Sequence, residues 1–346
     1  MPSIEIAGVR VESGERKFLE IPVATLFDYT PMSIPVEVIC GKNPGPVMFV
    51  SGAIHGDEVI GTEIVKRVLE RKEINRLNGI FIGIPIINPF GYNNNTRYLP
   101  DRRDLNRCFP GSPDGSLAAR MADTFLNEIV YKCTHGIDIH SGAMHRTNFP
   151  QIRLELNEEE EMKLARAFGA PVILHSPLRP GTLRKAAHEK GIRTLLFEGG
   201  EALRFDEHSI SVAVHGVLNV MREIEMLPKE DDMVPPYTVI TAKSSHWIRA
   251  QTSGSLRFLK KLGEFVQVDE LLGVISDPFG KRKSEVKAIK SGVIIGVTTM
   301  PLVNKGSALF HVATLEDMTL GEDKTDHNVV LDQDIDIENE DWFVRS

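Results

Sequence analysis

Apolar positions follow more than one rhythm along the chain. Over residues 1–40 they alternate at Ile4, Ile6, Val9 and Val11 and return from Ile34 to Cys40, a strand pattern. From 47 to about 227 strand and helix patterns take turns. The apolar run 47–54 predicts a buried strand. Residues 57–72 place Val59, Ile60, Ile64, Val65, Val68 and Leu69 on one face and predict a helix. A strand at 79–87, an Asn/Arg/Pro/Gly-rich loop at 88–115, a helix at 116–131 and a strand at 136–140 follow. A helix at 157–168, a strand at 171–175, a helix at 182–190, a strand at 192–197 and a helix at 206–226 complete the series. Strands alternating with helices predict a layered α/β sheet, with chemistry beyond the carboxyl ends of its strands.

Beyond a polar, proline-bearing linker at 228–236, residues 238–315 change character. Short Val/Ile-rich runs between Gly254, Gly263, Gly273, Gly280, Gly292, Gly296 and Gly306 predict a small all-β domain. The expected division is therefore 1–235, an α/β domain with N-terminal strands; 236–320, the β domain; and 321–346, a tail. Of the formal net charge of −8, that tail carries −7. The body is close to neutral and offers no basic field for nucleic acid. No apolar run is long enough for a membrane helix. The start of the chain lacks an apolar secretory core, and Cys40, Cys108 and Cys133 are isolated. These features suit a cytoplasmic protein without a disulfide frame or thiolate metal cage.

Three strand ends carry the candidate chemistry. Ser51-Gly-Ala-Ile-His55-Gly-Asp-Glu58 closes the first buried strand, Gly136-Ile-Asp-Ile-His140 another, and Thr194-Leu-Leu-Phe-Glu198-Gly-Gly a third. Singly each motif is weak, since a histidine at a strand end is usually structural. Together they bring two imidazoles and two carboxylates to one sheet edge. Two His and one Glu supply three ligands to Zn²⁺ and leave a fourth position open for water, the arrangement of catalytic zinc sites. A carboxylate outside the ligand set can then take a proton from water and return it to a leaving group; Glu198 fits that part. Asp138, on the same strand face as His140, is a candidate to orient it.

With Asp104-Leu-Asn106-Arg107 between them, His55-Gly-Asp-Glu58 and Asp138-Ile-His140 resemble the succinylglutamate desuccinylase/aspartoacylase family, relatives of the zinc carboxypeptidases. The resemblance covers roughly residues 35–230. It implies a three-layer α/β/α mixed sheet of zinc-carboxypeptidase type and one Zn²⁺ per chain on His55, Glu58 and His140. It also implies Glu198 as general base and hydrolysis of an amide joining an acyl group to an amino acid.

The loop at 97–107 holds Arg97, Arg102, Arg103 and Arg107. Arginine grips carboxylates in two-pronged fashion, and an Asn adds an oriented amide. The resemblance assigns the substrate carboxylate to Asn106 and Arg107, and polarisation of the scissile carbonyl to Arg97, with Arg103 as the alternative. Arg146 and Arg153 are candidate contacts to the acyl end. His145 reads as a loop residue, and His188, His208 and His215 as structural.

Residues 252–312 resemble the barrel-sandwich of biotinyl and lipoyl carriers. Lys281 falls near the tip where those carry a modified lysine, but its flanks, Gly280 and Arg282, match neither carrier pattern. An unmodified domain packed near the zinc crevice, where it limits access by long peptides, is the expectation. The expected substrate is a small anionic N-acyl amino acid, in a chain free to form a homo-oligomer. A zinc carboxypeptidase and a non-enzymatic carrier are the alternatives.

Overall fold

The computed structural model describes residues 1–229, 237 and 239–314, and the backbone of 318–320. Most of the linker and the acidic tail at 321–346 lie outside the described residues.

Strands β1 (Ser3–Ile6) and β2 (Val9–Glu12) pair as a small ribbon. β3 (Arg16–Thr25) and β4 (Pro31–Cys40) form a long hairpin on one edge of the main sheet. Its centre is parallel and consists of β5 (Val47–Ser51), β6 (Ile80–Ile84), β7 (His135–Gly142) and, beyond β8 (Arg146–Leu154) and β9 (Val172–His175) in sequence, β10 (Arg193–Glu201). Their near-continuous apolar runs reflect burial on both faces.

Helices α1 (Ile60–Glu70), α4 (Glu159–Phe168) and α6 (Glu207–Glu223) cover one face. They bury Ile64, Val68, Phe168 and Val217 against Val50, Ile139 and Phe197. On the other face α3 (Leu117–Glu128) and α5 (Leu183–His188) pack Phe125, Met121 and Leu183 with Phe49 and Ile82. Successive strand residues such as Phe49 and Val50 serve opposite cores, as the two-residue strand period requires. Side-chain caps start the helices where expected: Ser116 accepts from Ala119 N–H at 3.3 Å and Asp206 from Ser209 N–H at 2.7 Å. No helix among the described residues is long and apolar enough to cross a membrane.

Two features depart from the sequence reading. Within the long loop sits a short helix, α2 (Pro89–Asn93). More consequentially, 146–154, to which the sequence pattern assigns no element, is an internal strand, β8, antiparallel to β10 and parallel to β9. Its Arg146, Asn148, Gln151 and Arg153 break up any apolar run, and Pro150 argues against a central strand. The proline is tolerated because it stands where the strand changes partners: on one flank β8 pairs up to Asn148 with a C-terminal strand, and from Gln151 onward with β9.

The C-terminal strands are β11 (Ile240–Ala242), β12 (Ser245–Arg249), β13 (Gly254–Phe258), β14 (Phe265–Val266), β15 (Leu271–Ser276), β16 (Lys283–Lys287), β17 (Gly292–Thr298), β18 (Leu302–Val303), β19 (Ala308–Thr314) and β20 (Met318–Leu320). β13, β15, β16 and β18 form a separate antiparallel sheet. Its Leu256, Leu272 and Ile275 share a core with Leu309, Phe310 and Val312 of β19. The others extend the main sheet: β17 pairs with β8, β19 with β17, β12 with β19, and β11 with β9. One mixed sheet thus runs from the N-terminal hairpin into the last strands.

Candidate metal centre and substrate cavity

His55 lies in the turn after β5, and Glu58 just precedes α1. Gly56 makes that turn possible, since a Cβ there would fall 1.9 Å from the Gly91 carbonyl carbon. α1 starts at Ile60 rather than 57, which leaves the turn free to aim both side chains inward. His140 comes from β7. The ligand atoms of His55, Glu58 and His140 lie within 4.8 Å of one another, and all three residues are buried. His55 Nδ1 is 2.7 Å from Glu58 Oε1, and His140 Nδ1 is 2.8 Å from Oε2.

The other nitrogen of each imidazole faces a carboxylate. His55 Nε2 stands 3.0 Å from Asp104 Oδ1, and His140 Nε2 2.8 Å from Asp138 Oδ2, with Ser51 donating to Asp138 at 3.0 Å. Carboxylates in that position accept from Nε2–H and, with a cation bound, would leave the Nδ1 lone pair to the cation. Asp138 thus stands where its strand position suggested. Asp104 was visible only as part of a motif, without a part of its own. Its Oδ1 also accepts from Asn106 N–H at 2.9 Å, which ties the turn at Leu105–Arg107 to the metal centre.

Electrostatics follow from burial and pairing. Burial alone would raise Glu58, yet the two imidazoles hold it well below the usual carboxylate range. Burial would lower His140, but Asp138 and Glu58 push it well above its ordinary value. The donor set, two imidazole nitrogens and a carboxylate with oriented partners behind them, suits a divalent cation such as zinc.

A cavity of about 650 Å³ opens onto these residues. Arg97 lines it, bonded to Glu58 Oε1 at 3.2 Å and Asp104 Oδ2 at 2.9 Å. Asn106 and Arg107 line it as well. Asn106 Oδ1 accepts from Leu183 N–H at 2.9 Å, so its NH₂ is the group available to a ligand. The structure does not bring Arg103 to the cavity; its side chain is 59% exposed and 3.7 Å from Asp101. Of the two arginines, Arg97 is the one in the cavity lining.

Glu198 is the register partner of His140 on the neighbouring strand. Asn148 donates to its Oε2 at 2.8 Å, and Arg153 Nη1 lies 3.2 Å from Oε1. Arg153 therefore faces the carboxylate, while Arg146 lies over the Trp247 ring at 5.2 Å. Arg184, also in the lining, is anchored by the carbonyls of Arg153, Ser176 and Pro177. Sequence reasoning missed Asn148, Arg179, Arg184, Ser245, Trp247 and His311, all of which line the cavity. The last three come from the C-terminal strands, and only the register of β12 and β19 places them.

Outside the cavity, His145 is exposed, with its N–H on Glu201 at 3.0 Å. His188 sits near Glu161 at 3.7 Å, His208 against Phe149, and His215 on the Ser211 carbonyl at 2.9 Å. Lys281 lies on an exposed turn whose N–H groups converge on Asp277.

A family model, the succinylglutamate desuccinylase/aspartoacylase catalytic domain, matches residues 44–224. An N-alpha-acetyl-L-2,4-diaminobutyric acid deacetylase from Halomonas elongata is 25% identical over 312 residues, covering 86% of this chain and 90% of its own. A solved succinylglutamate desuccinylase from Silicibacter sp. TM1040 superposes with a TM-score of 0.76 at 25% identity, over 87% of this chain and 94% of that one. The product-bound ectoine utilization protein EutE from Ruegeria pomeroyi has the same fold, with a TM-score of 0.75 at 24% identity over 87% and 95% of the two chains.

Proposed function

The chain belongs to the succinylglutamate desuccinylase/aspartoacylase family, and from that premise we propose that it is a zinc-dependent hydrolase of the amide bond in small N-acyl amino acids. The observation that carries the reading is the shared cavity: the His55–Glu58–His140 cluster, Glu198 beside it, and Asn106 with Arg107 all line one chamber. The deacetylase relative supports the reaction class.

His55, Glu58 and His140 would hold the cation. When bound, it supplies Lewis acidity toward a carbonyl oxygen and acidifies water. Arg97 directs its guanidinium toward the same place and adds positive charge where the amide oxygen becomes negative. Glu198 takes the proton from water and hands it to the departing amine. Asn148 and Arg153 hold both carboxylate oxygens in place for that transfer. Asn106 and Arg107 grip the carboxylate of the amino acid. We place the domain boundaries at 235 and 320, and read 236–320 as a barrel-sandwich that walls the cavity against long peptides.

The test is metal analysis coupled to hydrolysis assays on N-acetyl and N-succinyl amino acids, beside free and C-terminally blocked peptides. One zinc per chain and turnover confined to the acyl amino acids are expected. Faster cleavage of free peptides would make the enzyme a carboxypeptidase, and no bound metal would end the assignment.

A further inference from the structure

One register row crosses five strands of the main sheet: Gly200 of β10, Asn148 of β8, Gly296 of β17, His311 of β19 and Trp247 of β12. Register partners share a sheet face. Because two of the five are glycine, Asn148, His311 and Trp247 stand in line on that face, and all three line the cavity. At one end Asn148 bonds Glu198 at 2.8 Å; at the other Trp247 stacks on His311, with ring centroids 4.6 Å apart and planes 7° from parallel.

His311 has an unanswered valence. It is 8% exposed, its Nε2 lies 2.8 Å from the Ser245 hydroxyl, and its buried Nδ1 has no hydrogen-bond partner. Buried polar atoms are normally satisfied, and an exception in a cavity wall points to a ligand. Burial, with help from Arg153, pushes the imidazole down to about 3, so it is neutral and carries a single N–H. If the Ser245 hydroxyl donates to Nε2, that proton sits on Nδ1. Arg146 and Arg153 nearby favour an oxygen there and disfavour an ammonium group.

Asn148 ties the row to Glu198, which in the proposed reaction serves the departing amine, so we assign the rest of the row to the amino-acid half of the substrate. Building on the deacylase reading, we propose that His311 is a specificity-determining residue, donating from Nδ1 to an oxygen on the side chain of the released amino acid. The C-terminal strands thereby select the substrate as well as enclose it.

The test compares wild type, His311→Leu and His311→Asn on N-acetyl-aspartate, N-acetyl-asparagine, N-acetyl-norvaline and N-acetyl-2,4-diaminobutyrate. The Leu variant should raise KM about tenfold for the two oxygen-bearing substrates, the cost of one hydrogen bond. It should leave N-acetyl-norvaline unchanged, and the Asn variant, which restores an N–H donor, should recover most of the loss. Equal effects on all four substrates would overturn the proposal, as would a loss confined to the diaminobutyrate compound. Metal content and Tm identify a misfolded Leu variant, and Ser245→Ala then serves as a second probe, with the same selective rise expected and a uniform one overturning. If wild type hydrolyses none of them, the deacylase reading fails on its own. The His311 proposal is then decided by titrating free aspartate and norvaline against Trp247 fluorescence in a Trp342→Phe background. Quenching by aspartate that His311→Leu abolishes supports it; quenching that survives overturns it.

Discussion

Gly296 and Asn148 face each other across the β8–β17 pairing, and a Cβ on Gly296 would stand 3.0 Å from the Asn148 amide oxygen and 3.2 Å from the His311 Cβ. The absence of a side chain at 296 therefore lets the C-terminal strands close against the residue that holds Glu198. Gly296→Ala should displace that amide and lower kcat about tenfold, with metal content unchanged, as expected when a catalytic group shifts by a fraction of an ångström. Steady-state kinetics with metal analysis checks this.

Glu198→Gln keeps the hydrogen bond from Asn148 but cannot accept a proton. Turnover should fall by about 10²–10⁴, the usual contribution of a general base, while zinc stoichiometry holds at the wild-type value.

Asp104 and Asp138 touch the Nε2 nitrogens of His55 and His140. Replacing either by Ala should weaken metal affinity about 10–100-fold, measured by competition with a chromogenic chelator. Restoring activity with excess zinc would show that the loss lies in binding.

The arginines of the long loop separate by position. Arg107→Ala should raise KM about tenfold or more by removing a charge-assisted contact to the substrate carboxylate. Arg103→Ala, on the exposed side of the loop, should leave KM and kcat within about twofold of wild type, since an exposed ion pair contributes little.

Acid should destabilise the fold in a defined window. Burial, with Arg193 beside it, pushes His135 down to about 4. A histidine whose folded value lies below its unfolded one takes up fewer protons in the native state. Its contribution is therefore complete above about 6.5 and is lost as the pH falls toward about 4. His135→Gln should lie furthest below wild type at pH 8 and approach it by pH 4.5, followed by urea midpoints. A gap that widens on acidification would contradict the assigned direction.

The His55–Glu58–His140 cluster was legible because its parts are local: His55 follows β5, Glu58 stands three residues further on, and His140 lies near the end of β7. Parallel strands then bring such ends together without further instruction. The substrate wall was not legible for the opposite reason. β8 hides among polar residues and a proline, and its C-terminal partner, β17, lies about 150 residues further along the chain. Asn148, Trp247 and His311 acquire meaning only through a register that no local pattern encodes. Arg103 and Arg97 look equivalent in the sequence, and only the backbone path separates them.

The continuity of the sheet bears on synthesis. A nascent chain that has emerged only as far as α6 already contains His55, Glu58 and His140, but Trp247 and His311 have not been made, and the flank of β8 that awaits β17 is an open edge. Such edges invite pairing with other chains. Fragments ending after α6 should therefore be sticky, and the polypeptide must reach its last strands before the wall of the cavity is complete.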